Sequence, residues 1–126
     1  AKAVEAGGAD AISLINTLTG MKVDINRKAF VLANKTGGVS GPGIHAIAVR
    51  MVYEAANAVS VPIIGMGGIA SAEDAIEMLL VGASAVSVGT ANFYDPAVTM
   101  KVVDGIGKYM KEQGFETVAD MVGIVR

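Results

Sequence analysis

The chain has 126 residues, no cysteine and a single histidine, with 52% hydrophobic residues, 17% charged residues and a formal net charge of −2. Those figures exclude disulfides, thiolate metal sites and a cysteine nucleophile within the stretch, and they argue against a histidine-built metal centre, nucleic acid or an anionic membrane as partner. Mean hydropathy is +0.53, yet no window reaches the roughly 18 to 20 uninterrupted apolar residues of a membrane helix, so the apolar excess belongs to buried strands and helices.

The chain opens "AKAVEAGGAD", with neither an initiator Met nor a charged-then-apolar leader, which reads as an internal piece of something longer. Residues 1 to 7 suit the tail of a helix stopped by Gly7 and Gly8. "AISLIN" (11 to 16) is an apolar run of strand length, of the kind buried on both faces in a parallel sheet. A polar, glycine-rich connection runs from about Thr17 to Pro42, and loops that long are commonly functional. From Gly43 to Val59 apolar residues recur at helical spacing, with Arg50, Glu54 and Asn57 opposite. The strand "VPIIGM" (61 to 66) precedes a helix over 72 to 81, and the strand "AVSVG" (85 to 89) precedes a helix from Pro96 to about Gln113, with Asp95 expected at its N-cap. "TVADMVGIVR" reads as a short closing helix.

Strand and helix alternate three times, which predicts a parallel sheet. A weak internal echo, "GADAISL" against "GASAVSV", fits a repeated βα unit. A (βα)8 barrel takes about 250 residues, so the expected fold is α/β, the C-terminal part of a TIM barrel. Residues 1–126 would form one partial domain of about three βα units plus a terminal helix, approximately strands 6 to 8. A doubly wound domain fits less well, because its fingerprint glycines follow the first strand rather than the last two.

The loops after the last two barrel strands often bind phosphate. Here Gly67 and Gly68 follow one strand, and Gly89 and Thr90 follow the next. Ser71 and Asp74 have the spacing of a capping box. Glycines let backbone amides approach an anion, so the two turns together suit a phosphate nest; turn and packing glycines are the structural alternative. In "GGVSGPG" (37 to 43), Ser40 or Gly41 can cap the next helix, or the Gly41 amide can face the same barrel mouth. Asn16, at the end of the first strand, either caps a turn or hydrogen-bonds a planar ligand. The seven methionines read as core filling. Tyr53 and Tyr109 suit the barrel exterior, and Asp104 with Lys108 suits a solvated helix face.

"INTLTGMKVDI", "VLANKTGGVSGPGI", "IAVRMVYEA", "VPIIGMGGI" and "VGASAVSVGTANF" together resemble the C-terminal half of class 1B dihydroorotate dehydrogenase, the flavin-containing catalytic subunit. The "NKTGGVSGP" connection separates it from the class 1A and class 2 enzymes and from dihydropyrimidine dehydrogenase, the second-ranked resemblance. The resemblance implies FMN contacts at Ile15, Gly41, Gly67, Gly68, Gly89 and Thr90, the last four around the phosphate, and substrate contacts at Asn16 and Thr17. It implies oxidation of dihydroorotate to orotate in pyrimidine biosynthesis in the cytoplasm. It further implies a homodimer of catalytic subunits, with FAD and a 2Fe–2S cluster on an electron-transfer subunit and NAD as final acceptor. The family's catalytic base, a cysteine, and a flavin-contacting lysine come from its N-terminal half. No catalytic residue and no metal ligand is therefore assigned here, and the separate chain is expected to be inactive, with open strand edges. A non-catalytic phosphate- or flavin-binding half-barrel is the alternative of another class. His45 and Ala46 stand where many relatives read Lys-Pro, and His45 is expected at the surface or facing a partner.

Overall fold

The computed structural model describes residues 1–126. The short runs rich in β-branched residues become strands and the longer amphipathic runs become helices. In chain order these are α1 (Lys2–Ala6), β1 (Ile12–Leu14), β2 (Leu18–Met21), β3 (Val23–Asp24), β4 (Ala29–Phe30), β5 (Thr36–Val39), α2 (His45–Ala56), β6 (Ile63–Met66), α3 (Ala72–Leu80), β7 (Ala85–Ser87) and α4 (Val98–Gln113).

The main sheet has the order β1-β6-β7. Both pairings are parallel, with Ile12 opposite Ile63 and Met66 opposite Ser87. Each outer strand has a single neighbour. This is an arc of parallel β/α units, as expected for part of a TIM barrel. Ile63 is fully buried in β6. A Cβ on Gly65 would stand 3.0 Å from the Ala83 methyl and 3.3 Å from Met78 Sδ, so a side chain in the central strand would crowd both. Ala48, Val52, Ala55 and Ala56 of α2 meet Ala75 and Met78 of α3 in the core, with Val98 and Val102 of α4 at its margin. The small residues let the helices lie close to the sheet. Truncating fully buried Val52 or Met78 would cost about 2 to 4 kcal/mol each.

The capping box forms as predicted. Ser71 Oγ accepts from the Asp74 amide at 3.2 Å, and the Asp74 carboxylate accepts from the Ser71 and Ala70 amides at 2.9 Å. It fixes where β6 hands over to α3, and so fixes the turn between them.

Four expectations need correction. The connection from Thr17 to Pro42 contains structure: β2 pairs antiparallel with β5, and β3 with β4. Its strands are too short and glycine-rich to show a period in sequence. The last long helix starts two residues late, with Ala97 at its N-cap, because Asp95 turns its carboxylate to the Ala97 amide at 3.0 Å and to Lys101. The closing segment is a single 3-10 turn, Val118–Met121, rather than a helix. Its following amides leave the helical path: Gly123 N–H donates to the Leu79 carbonyl and Val125 N–H to that of Leu80, which satisfies the C-terminal end of α3. Finally, only Met78 and Met121 of the methionines are fully buried, while Met21 and Met100 are more than half exposed. Tyr109 does pack as expected, against Phe115 at 6.3 Å beside Met121. On the solvated face of α4 it is Lys108 and Glu112 that approach, at 3.8 Å.

Candidate functional site

The C-terminal ends of β1, β6 and β7 open into one cleft of about 360 Å³. Ile15, Gly41, Gly67, Gly68, Gly89 and Thr90 all line it. Four separated segments of sequence therefore converge on one place: the ends of the three parallel strands and the loop before α2. Thr17 also lines the cleft, whereas Asn16 does not. The Asn16 side chain instead accepts from the Thr17 amide at 2.7 Å and the Thr17 hydroxyl at 3.3 Å.

The two glycine turns differ in kind. Gly67 and Gly68 have φ of 127° and 72°, a backbone region that favours glycine. A Cβ on Gly67 would lie 2.7 Å from the Ala48 methyl, and one on Gly68 would lie 2.8 Å from the His45 amide nitrogen and 2.9 Å from the Gly41 oxygen. These glycines are required by the packing of the turn against the start of α2. That is the structural alternative raised by the sequence, and it is sufficient for their identity. What remains for a ligand is their N–H groups: the Gly67, Gly68 and Ile69 amides donate to no group of the protein. Around Gly89 a Cβ would meet nothing within 4 Å, and its amide is likewise free.

The lining includes no Asp, Glu, Lys, Arg or His. Tyr94, highly exposed at the rim, is its single titratable side chain. Ile15, Ile44, Met66 and Ile69 give the cleft an apolar wall. Free amides beside an apolar lining suit a ligand that carries both an anionic and an apolar part. Asp95, next to Tyr94, has its carboxyl held below the usual range, chiefly by the Lys101 ammonium and then by the Ala97 amide.

Two contributors were not singled out for the cleft in sequence. Ser40 Oγ accepts from Thr90 Oγ1 at 2.8 Å and so ties the loop before α2 to the turn after β7. Of the two cap candidates, Ser40 and Gly41, it is Gly41 that caps the 3-10 turn Pro42–Ile44, with Pro42 at its first position. His45 is the larger correction. It is 8% exposed, not on the surface. Its Nδ1 lies 2.9 Å from the Gly67 carbonyl oxygen and its Nε2 lies 3.1 Å from Glu77 Oε2. Those partners are 22 and 32 residues further on, so nothing local in the sequence could have shown them.

A family model described as dihydroorotate dehydrogenase matches residues 1–110. The chain belongs to the dihydroorotate dehydrogenase family. It is 60% identical over all of its length to a protein of Lachnoclostridium phytofermentans named dihydroorotate dehydrogenase B (NAD(+)), catalytic subunit, of which it covers 42%. Proteins of the same name from Alkaliphilus oremlandii and Bacteroides fragilis are 58% and 52% identical over 98% of the chain, which covers 41% of each. The chain thus spans about two fifths of the length of these dihydroorotate dehydrogenases. A solved dihydroorotate dehydrogenase of Eimeria tenella, in complex with ferulenol, superposes with a TM-score of 0.78 at 28% identity, over 98% of this chain and 32% of that one. No helix of the chain is long and apolar enough to cross a membrane.

Proposed function

We propose that the chain forms the flavin-phosphate side of the active site of an NAD-linked dihydroorotate dehydrogenase, approximately strands 6 to 8 of its barrel. The observation that carries this is the convergence of Ile15, Gly41, Gly67, Gly68, Gly89 and Thr90 on one cleft with unpartnered amides. In this reading the Gly67, Gly68 and Gly89 amides hold the FMN phosphate, and Ile15 supports the apolar part of the cofactor. Thr17, which lines the cleft, and Asn16 next to it in the chain orient the pyrimidine. FMN, when bound, supplies the redox capacity, taking up hydride as dihydroorotate loses one proton and becomes orotate.

The chain's own work is binding and orientation. With no acid or base among the lining residues apart from Tyr94, the proton is removed by a group outside these 126 residues. The 126-residue chain alone is accordingly inactive in this reading. The relatives' name "catalytic subunit" fits assembly with a further subunit. We assign to that partner FAD and a 2Fe–2S cluster, to the catalytic subunit a homodimer, and to the whole a cytoplasmic role in pyrimidine synthesis.

Gly89→Val in the complete protein tests the site, because Gly89 has open space where a side chain would go. The variant is expected to fold and to lose FMN at least tenfold in affinity, measured by quenching of flavin fluorescence. A folded variant with wild-type FMN affinity removes Gly89 from the cradle and with it the phosphate reading of the cleft.

A further inference from the structure

We infer that His45 is a positioning residue that holds the Gly67–Gly68 peptide with its N–H facing the cleft. The inference deepens the flavin-phosphate reading and rests on it. A carbonyl oxygen can only accept, so the 2.9 Å contact makes His45 Nδ1 the donor to Gly67. The Gly67 carbonyl and the Gly68 N–H belong to one planar trans peptide and point in opposite directions. Tying the oxygen to the buried ring therefore turns the Gly68 N–H away from it. That N–H meets no acceptor in the protein, and Gly68 lines the cleft.

A constraint is needed here more than at most turns. The peptide has glycine on both sides, and glycine tolerates both signs of φ, so rotating this one peptide unit meets little side-chain resistance. Packing leaves no room for a side chain at either position, where a Cβ would crowd Ala48, His45 and the Gly41 oxygen. Apart from the bond to His45, the peptide between them makes no hydrogen bond to the protein. The His45 hydrogen bond fixes that plane.

The ring is itself held from the far side. When the ring carries hydrogen on both nitrogens, Nε2–H also donates, to Glu77 Oε2 at 3.1 Å, with Asp74 Oδ1 at 3.8 Å. Asp74 is the capping-box residue of α3, so the ring links the start of α2, the glycine turn and the start of α3. Glu77 is half exposed and Asp74 partly buried. No other charged side chain lies within ion-pair distance of the imidazole.

The test compares wild type, His45→Leu, His45→Gln and Glu77→Ala in the complete protein. It measures FMN affinity by fluorescence quenching, thermal melting of the FMN-free protein, and kcat at saturating FMN. His45→Leu keeps the bulk but has no donor, and is expected to weaken FMN about tenfold, the worth of one hydrogen bond. His45→Gln, whose amide can still donate to the Gly67 carbonyl, is expected to restore affinity to within about threefold of wild type. Glu77→Ala, at an accessible position that will not threaten folding, is expected to weaken FMN about threefold by freeing the ring. In every variant kcat at saturating FMN stays at the wild-type level. Equal FMN loss in the Leu and Gln variants, following their melting temperatures, would reduce His45 to a packing residue and overturn the inference. Unchanged affinity in Glu77→Ala, or in folded His45→Leu, overturns it as well. If wild type itself fails to bind FMN, it is the cleft assignment that fails, a result the variants cannot imitate.

Discussion

The turns after β6 and after β7 look alike in sequence, Gly-Gly and Gly-Thr, and both end in unpartnered amides at the same cleft. They are built on different principles. The first is pressed against α2, so that each of its glycines lies where a side chain would strike protein atoms within 3 Å. The second stands free, and its glycine borders open space. A glycine can thus be demanded by the protein packed behind the chain, as at Gly67 and Gly68, or stand where the protein itself demands none, as at Gly89. The pair after β6 still serves the cleft, but through its amides.

Substitution separates the two turns most sharply. Gly68→Val forces a side chain against the His45 nitrogen and the Gly41 oxygen in a strained backbone region, and is expected to cost the complete protein about 3 kcal/mol or more. Chemical denaturation would show this as a lower midpoint, FMN present or absent. A Gly68→Val protein as stable as wild type would abolish the distinction between the turns. Gly89→Val is the counterpart, with FMN affinity lost and stability changed by less than about 1 kcal/mol. A smaller effect comes from the hand-over to α3. Ser71→Ala removes half of the capping box and is expected to cost about 1 kcal/mol of stability in denaturant titration.

The smallest expected effect lies far from both turns. Glu5 accepts from the Ser60 hydroxyl and amide and from the Val61 amide, and the Ser60 side-chain bond, the largest influence, holds its carboxyl below the usual range. A lowered carboxylate contributes stability above its ordinary titration range and loses it as pH falls through the lower folded value. Glu5→Gln should therefore melt slightly below wild type at neutral pH and together with it in acid. A difference that widened in acid would contradict the assignment, while the turns after β6 and β7 should be indifferent throughout.

Much of this was legible in sequence. Ile12–Leu14, Ile63–Met66 and Ala85–Ser87 are short apolar runs separated by amphipathic helices, and that alternation dictates a parallel sheet. A parallel sheet in turn brings its C-terminal turns together, so the cleft followed from the order of elements. The Ser71–Asp74 cap was readable because both partners are local. Hidden features depended on distant partners. Ser40 meets Thr90 across 50 residues, and burial of His45 depends on Glu77 from another helix. The paired strands of the Thr17–Pro42 connection were hidden for another reason: strands of two to four residues, several of them glycine, display no alternation.

In the β1-β6-β7 sheet, β1 and β7 each keep a side with no strand partner, and both run parallel to β6. In a closed barrel of parallel β/α units, the strands that continue such a sheet on either flank run in the same direction. The arrangement lends itself to complementation in trans: a second polypeptide carrying parallel β/α units could dock at both flanks at once and close a ring. Cutting the family's barrel between such units would then yield two pieces whose reassembly is reported by the return of flavin fluorescence quenching.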